Sequence, residues 1–520
     1  MSSPADKRRR DLILLYLIAL AVFGAVGTRL GSPGYMDAEY YMATGKELAG
    51  GGGFQESFLW NYLDDPAGIP HPSHRYWMPL ASLFSAAGIA LAGDSFRAAQ
   101  LPFLLIAAAF PLLAYALAWK LYGDAGRARK AGMLALAPGL FLPFLVTTDT
   151  FGVFALVGGG ALAMMSASPM VHPRRIAFAG ALVGFAHLAR ADGVLLWLPL
   201  LAAIATTPKG KLGWVLSAGL GYAAVLSPWV GRNLIEAGSL WPPGGSRTLW
   251  LLSYDETFTY PATLLTPTRW WAAGWTVLLG DRMAALWTNV RSLVVVNGLV
   301  FLAPLMAVGA WRKRNEPMVR TAGLYLAVLL FVMSFIFPYA GSRGGFFHSS
   351  AALMPLFLAL APEGLGAFVE LGVRSRGWLA ERASRLFFAA SLILASAFTI
   401  WATWSRMTAD GLGAGWERNA ATFSRAAGLL PDSARSIAAN DPPGLHLATG
   451  LPVVVIPNGE LDALGAVIQR YDIDWVLLEL NHPRGLDSLY QRPGAVGFLD
   501  APIRFEDADG VPAYLFPVQR

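Results

Sequence analysis

The sequence predicts an α-helical polytopic membrane protein of about 11 transmembrane helices, followed by a small C-terminal α/β domain. Three observations lead there. Of the 520 residues, 55% are hydrophobic and only 14% charged, against roughly 25% charged in a soluble globular domain. Apolar runs of near-spanning length recur, with basic clusters in alternate connections. After Ser405 the composition turns polar. An ordinary cytosolic enzyme and a disordered chain are both excluded. The net charge of +6 belongs to cytoplasmic loops and not to nucleic-acid binding. With no cysteine in the chain, disulfides, thiolate metal sites and cysteine nucleophiles are excluded.

A span needs about 20 apolar residues. The first is Asp11–Leu30, behind Lys7-Arg8-Arg9-Arg10, which places the N-terminus in the cytoplasm. No small-residue cleavage site follows, so it reads as a retained helix. Gly31–Arg75 is polar, aromatic and external. Tyr76–Gly93 is apolar but short. Counting it as a span would put Arg127, Arg129 and Lys130 outside, so it reads as an interfacial helix. Ala98–Leu121 then runs inward, Ala131–Thr147 outward and Phe151–Ala167 inward to Arg174-Arg175. Ile176–Ala189 exits, Val194–Ala205 returns to Lys209 and Lys211, and Leu212–Val230 exits. After the external segment Gly231–Arg282, Ala284–Trp311 returns to Arg312-Lys313-Arg314. Thr321–Tyr339 exits and His348–Ala361 returns to Arg374, Arg376, Arg382 and Arg385. Leu386–Ser405 exits last. The domains expected are thus residues 1–405, a transmembrane catalytic domain with the external loop 31–75, and residues 406–520, an extracytoplasmic α/β domain.

From Ala409 onward, short β-like runs appear at Ser436–Ala439, Pro452–Ile456, Trp475–Glu479 and Ala513–Pro517. Between the second and third lies Glu460–Tyr471, with Leu461, Leu464, Val467 and Ile468 at helical spacing. Strands alternating with a helix predict a small α/β unit.

Ionisable residues beside a span are the first place to seek function. Asp37 and Glu39 sit in Tyr35-Met36-Asp37-Ala38-Glu39-Tyr40-Tyr41, just past the first helix. A carboxylate there can take a proton from an attacking hydroxyl; the alternative is a solvated loop with anchoring aromatics. His71 and His74 are three apart and are metal candidates if helical, but Pro72 between them favours a loop leading to belt residues Tyr76 and Trp77. Asp149 lies in an external hairpin, and Arg190 and Asp192 lie at a helix end, where they either neutralise each other or line a polar cavity. Arg232-Asn233 ends another exit helix, and Arg343 flanks a third with His348. Arginines at three external helix ends run against the positive-inside trend, and a guanidinium is shaped to hold a phosphate. The chain has no P-loop, no G-x-S-x-G and no H-E-x-x-H; Gly50–Gly53 reads as a flexible turn.

In order and topology these residues resemble the GT-C membrane glycosyltransferases. Within them the chain is similar to the bacterial relatives of the dolichyl-phosphate-mannose protein mannosyltransferases and lipid A aminoarabinose transferases. The resemblance covers about residues 11–405 and rests on Asp37-Ala38-Glu39-Tyr40-Tyr41, Arg75-Tyr76-Trp77-Met78-Pro79-Leu80, Arg97 with Pro102, Thr148-Asp149, Arg190-Ala191-Asp192-Gly193, and Pro228-Trp229 with Arg232-Asn233. It implies a GT-C fold, a polyprenyl-phosphate sugar donor at the outer leaflet, an acceptor on protein, lipid or glycan, and transfer with inversion. It implies Asp37 as the base and Glu39 as its support. Arg75, Asp149, Arg190, Asp192, Arg232, Arg343 and His348 become the substrate-binding set. Some relatives use a divalent metal and others none, so that cofactor stays open. The implied location is a bacterial-type plasma membrane with the site outside. A transporter or flippase of lipid-linked sugars is the competing reading; it would place charges nearer the bilayer midplane and show repeated halves. A scaffold subunit, for which Asp37 would be replaceable, is the third.

The topology has a direct test. With single cysteines at Ser2, Arg127 and Asp509, only position 509 is expected to react with an impermeant thiol reagent in intact cells. Labelling at 127 would show that Tyr76–Gly93 crosses the membrane.

Overall fold

Long apolar helices dominate the chain because the bilayer leaves no other partner for backbone N–H and C=O groups. The computed structural model describes residues 4–165, 172–207, 210–407 and 416–519. The expected span end at Ala167, the cytoplasmic Lys209 and the start of the polar segment at Ala409 lie outside the described residues. Six helices among the described residues are long and apolar enough to cross a membrane: Ala5–Gly27, Phe96–Tyr122, Lys211–Ala237, Pro317–Ile336, Pro338–Arg376 and Ala380–Met407. Shorter apolar helices occupy Leu80–Ala92, Thr150–Met165 and Ala191–Ala205. The polytopic helical class with a small C-terminal sheet is borne out.

The contacts divide into two units. The first holds Met1–Arg29, Leu101–Arg232 and Arg282–Trp404. Its outward side chains are apolar; Leu212, Leu216 and Leu220 are 58 to 73% exposed, as lipid-facing positions should be. Its helices meet over small residues. A methyl group added at Gly180 would run into the Ala218 carbonyl, and one at Gly221 into the Ala177 carbonyl, so Pro173–Ala189 and Lys211–Ala237 cross at backbone contact. The basic clusters gather through shared acids. Arg129 pairs with Asp11 at 2.7 Å, Arg127 and Arg312 reach Glu363 at 3.3 and 3.6 Å, and Arg312 reaches Glu370 at 2.7 Å. The Arg129–Asp11 pair puts the start of the first helix beside the end of Phe96–Tyr122, which requires an even number of crossings between them. Helix Leu80–Ala92 has 13 residues, about 20 Å at 1.5 Å per residue, shorter than the hydrocarbon thickness of about 30 Å.

Several span ends differ from expectation. The apolar run Ala131–Thr147 is not one helix: it contributes to Ala125–Leu134 and Phe141–Leu145, because Pro138-Gly139 interrupts it, with Gly139 at φ +65°. The return expected at His348–Ala361 belongs to a longer helical run that ends at Arg376, where Arg374 and Arg376 suit the negative end of the helix dipole. Helix Lys211–Ala237 continues past Arg232-Asn233, so these residues are inside the helix and not at its end.

The second unit holds Leu30–Gln100, Asn233–Asp281 and Ser405–Arg520. Its centre is a six-stranded sheet. The strands are β2 (Phe58–Leu59), β4 (Ile437–Ala439), β5 (Val453–Val455), β6 (Trp475–Leu478), β7 (Ile503–Glu506) and β8 (Pro512–Pro517), in the order β2-β5-β4-β6-β8-β7. The first four in that order run parallel, with Ile437 opposite both Val453 and Trp475. β8 is antiparallel to β6 and β7, with Val476 opposite Phe516. The valine and leucine runs of β5 and β6 are buried on both faces, which is why they do not alternate. Helix Leu461–Tyr471 lays Leu464, Val467 and Ile468 on Val454, Val476 and Phe516. All four expected strands and the expected helix are present; β2, β7 and the helix Pro442–Thr449 were not anticipated. A separate pair, β1 (Gln55–Glu56) with β3 (His71–Pro72), is antiparallel.

The helix crossing gives a paired test. Gly221→Leu should lower the melting temperature in detergent by the equivalent of about 1–3 kcal/mol or more, through overpacking against backbone. Gly219, two residues earlier, has no atom within 4 Å of an added methyl, so Gly219→Leu should melt close to wild type. Equal melting of the two variants would refute the crossing.

Candidate functional site

In the first unit, a broken helix collects polar groups. Between Pro338 and Ser350 the backbone passes through a wide turn at Gly341–Gly345, with Gly344 at φ +142°, which only glycine adopts without strain. This segment carries Arg343, His348 and Ser349 in order. His348 donates from Nδ1 to the Gly344 carbonyl at 3.0 Å and meets Asp149 Oδ2 through Nε2 at 3.1 Å. Phe151 stacks on the imidazole at 3.9 Å. Asp149 is buried, immediately before Thr150–Met165, and accepts from the Thr150 backbone N–H and hydroxyl.

Beside them in sequence, Ser349 ties in the second candidate pair. Arg190 Nε donates to Asp192 Oδ1 at 3.1 Å and to Ser349 Oγ at 3.0 Å, and Ser349 donates to Asp192. Tyr325 donates to the Ser349 carbonyl at 3.2 Å. Arg190 and Asp192 do neutralise each other, and they are also two members of a larger polar group. Asp149, Arg190, Asp192 and His348, spread over two hundred residues of sequence, are thus joined through consecutive residues His348 and Ser349. Arg232 holds its guanidinium over the Trp229 ring at 4.9 Å.

In the second unit, Asp37 stands half-buried in the first turn of helix Met36–Ala49. Glu39 is 2% exposed and faces Asp441. Tyr40 is buried and accepts from the His74 backbone N–H at 2.8 Å. His74 itself is held between Ser73 at 2.8 Å and Ser82 at 2.9 Å, and Ser82 reaches Thr44 at 2.6 Å. His71 takes a different partner, Glu56, at 2.9 Å. Burial works to lower the His71 pKa, but the charge and hydrogen bond of Glu56 and the charge of Asp64 together outweigh it and hold the imidazole above its ordinary value. Among the described residues, no group of three metal-ligating side chains includes His71 or His74. Arg75 pairs with Asp64 at 2.5 Å. Tyr40, Glu56, Asp64, His71 and Arg75 line a cavity of about 10 Å³, room for one water molecule.

Glu56, Asp64, Ser349 and Asp441 were not anticipated. Glu56 and Asp64 are acids in the segment expected to be the external loop and were open to the same reasoning as Asp37. Asp441-Pro442-Pro443 has the signature of an N-cap followed by proline. Ser349 carries no sequence signal; only its neighbours in space distinguish it.

This architecture is the GT-C fold, and the resemblance expected from the sequence is borne out; the chain is an integral membrane protein. Residues 70–231 match the family of dolichyl-phosphate-mannose-protein mannosyltransferases. The structure is similar to that of ArnT from Cupriavidus metallidurans bound to undecaprenyl phosphate, with a TM-score of 0.54 at 14% identity over 97% of each chain. The apo form of that protein gives the same values. An oligosaccharyltransferase of Archaeoglobus fulgidus, tethered to an acceptor peptide, gives 0.50 at 12% identity over 90% of this chain and 68% of its own. No curated protein sequence matches the chain.

Proposed function

We propose that the protein is an inverting glycosyltransferase. It moves a sugar from a polyprenyl-phosphate donor to an acceptor hydroxyl outside the cytoplasm, with Asp37 as the base. The observation that carries this reading is a GT-C fold over 97% of the chain, with an aspartate in the first turn of the first helix after the N-terminal span. The undecaprenyl phosphate bound to ArnT supports a lipid-phosphate donor.

In the reaction, Asp37 takes the proton of the acceptor hydroxyl as its oxygen attacks the anomeric carbon. The bond from that carbon to the phosphate oxygen breaks on the opposite face, and polyprenyl phosphate leaves with the bonding pair. The transition state is oxocarbenium-like, and negative charge grows on the phosphate. Arg343, Arg190 and Arg232 are the cations assigned to that charge; fixed cations aimed at it lower the barrier. Asp192 and Ser349 orient Arg190, Asp149 and His348 are assigned to the sugar hydroxyls, and Arg75 supports the segment after the first helix through Asp64. Where a divalent cation is used, Asp149 and His348 supply a carboxylate oxygen and an imidazole nitrogen 3.1 Å apart, a donor set suited to it.

Purified protein given a panel of polyprenyl-phosphate sugars should release polyprenyl phosphate in the presence of an acceptor. Movement of intact lipid-linked sugar across vesicles, without release, would favour the flippase reading. Asp37→Asn preserves shape and removes the basic oxygen, so turnover should fall by about 10²-fold or more while donor binding persists. Turnover near wild type in that variant would end the base assignment.

Arg343 is assigned to the donor phosphate. Charged hydrogen bonds of this kind contribute about 1.5–3 kcal/mol. Arg343→Lys keeps the charge but loses the two-pronged geometry, so polyprenyl phosphate binding should weaken; Arg343→Ala should weaken it about tenfold or more. Wild-type binding by both variants would place the phosphate elsewhere.

A further inference from the structure

Asp37 and Glu39 share a helix but not a direction. Two positions along an α-helix turn the side chain by roughly 200°, so the two carboxyls leave nearly opposite faces of Met36–Ala49. Asp37 stays half-buried, whereas Glu39 is 2% exposed. Glu39 reaches the start of helix Pro442–Thr449. There Asp441 caps the helix, accepting from the Gly444 N–H at 3.2 Å. A methyl group added at Gly444 would come within 2.8 Å of Glu39 Oε2, so the glycine leaves the space that the carboxyl fills. Nearby, Tyr35 packs on Trp416 with ring centroids 4.9 Å apart. The N-terminal turn of the helix that bears Asp37 is therefore seated on the C-terminal segment at two points.

Two carboxylates buried face to face cannot both ionise. We propose that Glu39 is a positioning residue. It shares one proton with Asp441, and this carboxyl–carboxylate hydrogen bond holds helix Met36–Ala49, and Asp37 with it, in register on the C-terminal segment. The consequence for catalysis rests on Asp37 being the base; the bond itself does not.

The titration behaviour agrees with the geometry. Burial, then repulsion from Asp441, raises the Glu39 pKa well above the ordinary carboxyl range. Burial also raises Asp441, to about 6, while hydrogen bonds from Glu39 and from the Gly444 backbone hold it down. The proton therefore resides on Glu39, which donates, and Asp441 accepts. The other titratable groups in range are Glu479, at the end of β6 and raised to about 7 by burial and by Asp441 and Asp507, and Asp507 itself. No lysine or arginine is among the groups acting on Glu39 or Asp441 within the described residues. Because the folded pKa of Glu39 is raised, the anchoring is complete below the ordinary carboxyl range and is lost as pH rises through the raised value.

Hydrogen–deuterium exchange of the peptide covering residues 36–49 tests this on the full chain in detergent, without substrate. After correction for intrinsic rates, wild-type exchange should accelerate with pH from 5 upward, by up to about tenfold per pH unit within the titration window. Glu39→Gln donates to Asp441 at every pH and should flatten the profile. Asp441→Asn removes the repulsion and should reduce the total acceleration. Glu479→Gln should keep the wild-type profile. The proposal is overturned if Glu39→Gln and Asp441→Asn both retain the wild-type slope, or if Glu479→Gln alone removes it. Asp37→Asn should leave the exchange profile unchanged, so a failure of the base assignment is read separately from a failure of the shared proton.

Discussion

A hydrocarbon layer offers nothing to a backbone N–H or C=O, and the first unit follows from that constraint. Its long apolar segments are helical among the described residues. The irregular stretches, such as the turn at Gly341–Gly345, carry polar side chains that need protein partners. Without a hydrophobic drive between helices, association depends on close packing. That explains the backbone contact at Gly180 and Gly221, and the acids Asp11, Glu363 and Glu370 that knit the basic clusters together. The helix that breaks between Pro338 and Ser350 is the point where the same constraint becomes chemistry. Its wide turn frees the Gly344 carbonyl for His348 and sets Ser349 between Arg190 and Asp192.

The second unit is built around a sheet, and its constraint is strand pairing. Its sheet needs an edge partner for β5, and β2 from the segment after the first helix provides it. Tyr62 then donates to the Val455 carbonyl, so the segment is bound to the C-terminal strands by side chain as well as backbone. The segment that carries helix Met36–Ala49 and β2 is thus a structural part of the second unit. Such a mount suits the base role proposed for Asp37, since a misplacement of one ångström is costly to a reaction that depends on alignment.

Charge placement separates the roles of the acids. Asp192 and Asp64 answer arginines, Glu56 answers His71, and Glu39 and Asp441 answer each other. A buried charge that lacks a counterpart changes its protonation state. The proton proposed for the Glu39–Asp441 pair is such an outcome, while Asp37, on another face of the helix, is half-buried.

Composition and periodicity determined the class of this protein. Hydrocarbon thickness sets the length of an apolar run, so spans such as Phe96–Tyr122 and Ala380–Met407 were legible from residue type alone, and so were the short strands and the amphipathic helix Leu461–Tyr471. Helix ends were less legible where a proline–glycine pair or a polar residue inside a helix shifted the boundary, as at Pro138-Gly139 and Arg232-Asn233. The tertiary structure alone decided which distant residues meet. Strand β2 is two residues long and gives no periodic signal; its pairing depends on hydrogen bonds to a partner nearly four hundred residues away. Ser349 and Asp441 are ordinary polar residues in sequence. They acquire a role only because folding places a buried charge within reach of each, and the energy of a buried charge depends on its neighbours in space.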